Sequence, residues 1–341
     1  MLRKNSKEKT ILDYQTDILT GIRPTGSLTI ANFLGAVDPI VRLQKNNLST
    51  LVFVADLHAL TDNEPTIVKK YSKEIIADYL ALGLDPKESN IYLQSDIAEE
   101  LMLLTGILSR HVSAAELERI PTLKEKIKQG GDIKKASAFL LFYPVLMAAD
   151  ILINQAKKVP IGEDQMAHME IARLIAKRFN KKYGNVFPLP KALETKSIRI
   201  LSLKGQGKMS KSSPKGAIFL TDDKKTVAKK IKSAQTAFKG EMTNKLKSHI
   251  IIAKKLAQNQ KQIQEIEKII KKHKNGEQVM GEFKNILTKI TCNFLEKFQN
   301  KRQKILNEPD MISLILEQGK EIAQKNAQKT LKVVKKALDF V

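Results

Sequence analysis

The chain has 341 residues, 42% of them apolar, which is too many for a disordered chain and enough for two ordinary cores or one large one. No apolar run reaches the roughly 18 residues of a membrane span, and the single cysteine, Cys292, excludes an internal disulfide and a cysteine-built zinc site. The net charge of +23 is uneven, with 28 basic against 23 acidic residues up to Leu203 and 31 against 13 from Lys204 onward. A basic block of this kind suits a polyanion such as RNA; Arg supplies only 9 of the 59 basic residues, so a lysine-rich composition is the competing source. The first nineteen residues mix Lys and Arg with Glu8, Asp13 and Asp17 and hold no long apolar core, which predicts no signal peptide and a cytoplasmic protein.

Strand and helix signals alternate from the start. Ile18 to Ile22 predicts a short apolar strand, followed by a Gly/Pro turn and an amphipathic helix through about Leu43. Leu51 to Ala55 predicts a buried strand, and Ile67 to Leu82 a helix with Ile75, Ile76, Tyr79, Leu80 and Leu82 on its apolar face. Ile91 to Leu93 predicts a third strand and Leu101 to Leu108 another helix, a β-α-β-α-β order that implies a parallel sheet of the nucleotide-binding kind. Ala114 to Ile127 reads as helix with a break at Pro121, and Phe139 to Ile153, apolar almost all round, as a buried helix. Val159 to Ile161 is short and extended, Asp164 to Phe179 a helix, and Ile198 to Leu201 a strand. After Asp222 strand signals vanish, and helices are expected over 222–238, 245–258, 261–274, 277–307 and 310–339. The expected fold class is α/β, a parallel-sheet catalytic domain over 1–221 with a C-terminal α-helical domain over 222–341.

Two segments carry chemistry. The run Gly21-Ile22-Arg23-Pro24-Thr25-Gly26-Ser27-Leu28-Thr29-Ile30-Ala31-Asn32 sits where the first strand hands over to the first helix. There a helix N-terminus offers unpaired N–H groups to phosphates, with Arg23 as a cation and Asn32 as an amide donor. Taken alone, a plain strand-to-helix loop explains it as well. The second run, Gly207-Lys208-Met209-Ser210-Lys211-Ser212, is a short loop whose two ammonium groups suit the charge building on a leaving pyrophosphate.

Lys-Met-Ser-Lys-Ser matches the signature of the class I aminoacyl-tRNA synthetases, and Thr29-Ile30-Ala31-Asn32 resembles their upstream signature in degenerate form. Further segments resemble tryptophanyl-tRNA synthetase: Ala55 to Thr61, Leu117-Glu118-Arg119, Phe142 to Leu152, and Val159-Pro160-Ile161-Gly162-Glu163-Asp164-Gln165. The resemblance is dense from about Gly21 to Ala234. It implies a Rossmann-like catalytic domain, activation of tryptophan by ATP with Mg²⁺ carried on the nucleotide, transfer to tRNA(Trp), and a homodimer. Tyrosyl-tRNA synthetase is the close relative and runner-up, and a non-catalytic RNA-binding paralogue is the alternative of another class.

The resemblance also distributes roles. Lys208, Lys211, Asn32 and Arg23 would act at the reacting phosphates, with Lys126 as a weaker candidate. Arg23, Pro24, Thr25, Ala31, Asn32, Gly162, Glu163, Asp164, Ile200 and the run Lys208, Met209, Ser210, Lys211, Ser212 would hold ATP. Ala31 stands where the family usually has Gly, against the adenine. Asp150, Tyr143, Met147, His58, Val159, Ile161 and Gln165 would hold tryptophan, and no protein-bound metal is expected. Tyr143, Met147 and Asp150 are spaced i, i+4 and i+7, hence on one helix face. A lone carboxylate in an apolar helix is costly without a donor, and an indole supplies one N–H. His111, His168, His249 and His273 receive no role.

Overall fold

The computed structural model describes residue 14 and residues 16–44, 48–129, 136–162, 165–194, 198–238 and 240–340. Among these, five strands form one parallel sheet: β1 (Ile18–Ile22), β2 (Thr50–Val54), β3 (Ser89–Leu93), β4 (Lys158–Ile161) and β5 (Lys191–Glu194), in the order β3-β2-β1-β4-β5. Ile18 faces Thr50 and Ile22 faces Val54, while β2 continues into β3 from Thr50 opposite Ser89 to Val54 opposite Leu93. Every residue of β2 is buried, as a parallel strand covered on both faces requires. Chain order reverses between β1 and β4, so a crevice opens at their carboxyl ends, the place where α/β sheets take ligands.

The strand expected at Ile198 to Leu201 lies elsewhere. The fifth strand is Lys191–Glu194, whose Lys-Ala-Leu-Glu sequence carries no apolar run to announce it; pairing with β4 from Lys158 to Ile161 holds it. Ile198 to Leu201 instead runs into a hairpin-like contact: Ser202 N donates to Gly207 O at 3.1 Å, and Met209 N to Ile200 O at 2.9 Å. The Lys-Met-Ser-Lys segment therefore leaves a braced turn.

Helices cover both faces. The first expected helix is interrupted: α1 (Ile30–Asn32) and α2 (Asp38–Leu43) flank a π-helical segment, Phe33–Val37, a local widening that concentrates at functional sites. Next come α3 (Asp56–Ala59), α4 (Pro65–Leu82) and α5 (Ala98–Ser109). The expected break gives α6 (Ala114–Leu117) and α7 (Pro121–Gln129), with Pro121 in the first turn, where its missing N–H costs nothing. Then follow α8 (Ala138–Ile153) and α9 (Met166–Tyr183). The remainder holds α10 (Lys224–Lys232), α11 (Asn244–Leu256), α12 (Gln260–Lys274), α13 (Met280–Leu306) and α14 (Pro309–Ala337). Helix α10 stops well short of residue 238, because Gln235 N donates to Leu203 O at 3.0 Å instead of continuing the helical ladder.

Two apolar cores result. One unites α2, α4 and α10 to α13, and the other gathers α5, α8 and α9. Helix α14 feeds both, with Ile312 and Ile315 in the first and Ala323, Ala327, Leu331 and Val334 in the second. It can do so because it lies directly on β3. A Cβ added at Gly319 would stand 1.8 Å from the Ile91 carbonyl oxygen, so any side chain there would force the helix off the strand. On α13, Arg302 pairs with Glu74 at 3.1 Å and with the buried Asp78, both on α4. No described helix is long and apolar enough to cross a membrane.

Candidate active site

A cavity of about 460 Å³ occupies the crevice at the carboxyl ends of β1 and β4. Gly21 keeps it open: the Phe53 ring lies 2.3 Å from where a Cβ would sit, so a side chain on β1 would displace that ring. Tyr143 and Met147 from α8 and Val159 and Ile161 from β4 line it. Gly162, Gln165, Arg23 and His58 reach the same space.

At the inner end stands Asp150, fully buried in α8. Its two carboxylate oxygens accept from Gln94 Nε2 at 2.8 and 2.9 Å, and His58 Nε2 lies 2.9 Å from one of them. An acceptor-only carboxylate fixes the tautomer, so His58 donates from Nε2. The His58 backbone N–H in turn donates to Gln94 Oε1 at 3.1 Å, closing a ring of contacts between α3, the turn after β3, and α8. Burial pushes the Asp150 carboxyl up, against the pull of His58 and Gln94.

A second polar cluster sits on the wall. Tyr143 OH lies 2.9 Å from His168 Nε2 and 3.0 Å from Thr122 Oγ1. Burial raises the Tyr143 hydroxyl, which stays protonated as donor and acceptor. His168 and Thr122 line the cavity too, so the sequence reading that gave His168 no role missed its place. The missed signal for His168 is position: it lies in the first turn of α9, three residues after Gln165, the N-cap of that helix.

The polar mouth is formed by cations. Arg23 pairs with Asp62 and touches Thr61 Oγ1 at 3.3 Å, while Lys126 Nζ reaches the other Asp62 oxygen at 3.0 Å. Burial alone would raise the Asp62 carboxyl, but Arg23 and Lys126 outweigh it and hold it below the usual range. Lys211 bridges to the Gly26 carbonyl at 2.6 Å, bringing the two signature segments together from 185 positions apart. Burial drives the Lys211 ammonium down to about 8, with Asp78 drawing it back and Arg23 reinforcing the fall. Lys208 and Ser212 are exposed, Ser210 Oγ lies 3.0 Å from Ser212 Oγ, and Met209 is buried as the anchor of the turn.

Not every expected residue reaches the cavity wall. Pro24, Thr25, Ala31, Asn32, Ile200 and the run from Lys208 to Ser212 do not line it. Asn32 is engaged in a capping box: its Oδ1 accepts from Thr29 N at 3.0 Å, and its own N–H donates to Thr29 Oγ1 at 3.2 Å. That fixes the start of α1. Ile200 is core, 2% exposed, and contributes its carbonyl to the hairpin. Glu163 and Asp164 lie outside the described residues.

The family model described as tRNA synthetases class I (W and Y) matches residues 13–296. The chain is 40% identical over 336 residues to the tryptophan-tRNA ligase of Ureaplasma parvum, a match covering 92% of this chain and 98% of that one. Its fold matches the crystal structure of tryptophanyl-tRNA synthetase from Campylobacter jejuni complexed with ADP and tryptophan, with a TM-score of 0.80 and 32% identity over 94% of this chain and 99% of that one. The tryptophanyl-tRNA synthetase of Mycoplasma pneumoniae matches at a TM-score of 0.83 and 31% identity, over 94% and 97%.

Proposed function

The chain belongs to the class I tRNA synthetases of the tryptophan and tyrosine type, and from that premise we propose how its residues divide the reaction. Its activity is tryptophan-tRNA ligation. Tryptophan and ATP give tryptophanyl-adenylate and pyrophosphate, and the tryptophanyl group then passes to tRNA. One observation favours tryptophan over tyrosine in the site itself: a fully buried carboxylate at the inner end of an apolar cavity. An indole fills such a slot and offers a single N–H to Asp150. Gln165 and Tyr143 hold the amino acid's polar end, and Gly162 to Asp164 meet the ATP ribose.

In the first step a tryptophan carboxylate oxygen bonds to the α-phosphorus as the bond to pyrophosphate breaks. The enzyme needs no nucleophile of its own; it positions the groups and neutralises charge. Arg23, Lys126, Lys208 and Lys211 do the latter, with Mg²⁺ arriving on the ATP phosphates. Pro24, Thr25, Ala31 and Asn32 shape the helix start beneath the nucleotide. In the family's manner the enzyme works as a cytosolic homodimer, and residues 222–341 bind the anticodon end of tRNA(Trp).

The chain contains no tryptophan, so bound substrate is the sole indole in the complex. Titration with tryptophan under selective indole excitation is expected to give a blue-shifted emission as the ring leaves water. Tyrosine should compete poorly, since its shorter phenol cannot fill the slot while reaching Asp150. No spectral change, together with efficient tyrosine activation in pyrophosphate exchange, moves the assignment to tyrosine.

Binding of tRNA is expected to be strongly salt-dependent, given the excess of basic residues from Lys204 onward. Raising salt from low to physiological levels should weaken it by orders of magnitude if several phosphates are neutralised. A flat profile in filter binding would leave the lysines as a matter of composition.

A further inference from the structure

Gln94 is the first residue past β3, at the carboxyl edge of the sheet, and it is fully buried. It does not line the cavity, yet each polar atom of its side chain is committed. The amide nitrogen donates to both Asp150 oxygens at 2.8 and 2.9 Å, and the amide oxygen accepts the His58 backbone N–H at 3.1 Å. The last contact sets the amide's orientation, because the flipped amide would aim its oxygen at the carboxylate and its NH₂ at a backbone donor. We propose that Gln94 is a positioning residue for substrate selection, whose amide turns the Asp150 carboxylate and keeps it as the acceptor for the indole N–H.

The reasoning rests on the tryptophan reading of the cavity. A carboxylate without water needs donors to remain an acceptor. Four groups around Asp150 act in different senses. Asp56, on the same helix as His58, repels its charge, and the fully buried Tyr92 hydroxyl on β3 is pushed up by burial and by that same charge, while His58 and Gln94 donate to it. His58 reaches only one oxygen, whereas Gln94 reaches both. Without Gln94, one oxygen loses the single donor it has among the described residues, and the carboxyl is free to rotate or take up a proton. A proton on the oxygen facing the indole places a donor against a donor.

The test compares tryptophan with β-(3-benzothienyl)alanine, in which sulfur replaces the indole N–H at nearly the same shape. Wild type, Gln94→Met and Gln94→Glu are assayed as full-length chains by binding and by pyrophosphate exchange. Gln94→Met is expected to raise the tryptophan KM by roughly tenfold with kcat little changed, and to alter binding of the sulfur analogue by less than about twofold. The acid limb of kcat/KM for tryptophan should move to higher pH in this variant. Gln94→Glu should discriminate still less, because two adjacent buried carboxyls cannot both ionise. Equal weakening of both ligands, or an unmoved acid limb, overturns the assignment and leaves Gln94 as packing. Retained binding of the analogue reports that the variant is folded. A wild type that does not bind tryptophan overturns the reaction reading itself and this assignment with it, which sets that failure apart from the others.

Discussion

Asp150→Ala is expected to raise the tryptophan KM and to lower kcat/KM by more than about tenfold, the loss of a hydrogen bond to a charged acceptor being worth roughly 1.5–3 kcal/mol. Steady-state pyrophosphate exchange reads this directly, and unchanged tryptophan kinetics would remove Asp150 from the pocket. Stability responds to two opposed effects. The substitution relieves a desolvated charge, but it strips the acceptor from His58 Nε2 and Gln94 Nε2, both inside the protein. A melting curve separates the folding effect from the binding effect. In the intact enzyme, burial raises the Asp150 carboxyl, so acidification should weaken tryptophan binding at a higher pH than an exposed carboxylate would. The stability term has the opposite slope: the folded carboxyl keeps its proton to higher pH than the unfolded one, so this group lowers stability as pH rises through that interval.

Lys211→Ala and Lys208→Ala should act on a different parameter. The charge they neutralise develops on the leaving pyrophosphate, so the loss belongs in kcat, on the order of a hundredfold for one electrostatic donor, with tryptophan affinity nearly intact. Single-turnover adenylate formation at the wild-type rate in both variants would exclude the loop from the chemistry. Lys211 adds a pH signature. Burial brings its ammonium down to about 8, so the free enzyme loses that charge as pH rises through about 8, and kcat/KM for ATP should fall there. Bound phosphates favour the charged form, so the limb in kcat should lie at higher pH. Lys211→Arg keeps a cation throughout and should displace the descending limb of kcat/KM upward.

How far the sequence reaches differs from one residue to the next. Asp150 could be singled out because a carboxylate in an otherwise apolar helix needs a reason, and the spacing of Tyr143, Met147 and Asp150 placed all three on one face. Periodicity reports such a face but not what lies across it. The donors that hold Asp150 come from 92 and 56 positions away, and nothing local marks Gln94 or His58 as their owners. The cluster of Arg23, Asp62 and Lys126 is hidden for the same reason. Strand β5 was missed because Lys-Ala-Leu-Glu reads as surface; only the waiting edge of β4 makes it a strand. The π-helical widening after Asn32 has no sequence mark either.

The tight seat of Gly319 on Ile91 bears on how the chain is made. Strand β3 is at the margin of the sheet, and its outer side is closed by α14, with Gln324 donating to the Asp96 carbonyl across 228 positions. A ribosome delivers β1, β2 and β3 long before it delivers α14. Until then the nascent sheet presents a row of unpaired amides and carbonyls along β3, a template on which another chain's strand can add. Closing that margin requires a loop of more than two hundred residues to find its end, though the entropy of closure grows only with the logarithm of length. The missing side chain at 319 thus belongs to the history of the molecule as well as to its packing. It allows the helix synthesised late to seal the strand synthesised early, and it ties protection against intermolecular pairing to the arrival of residues 309–337.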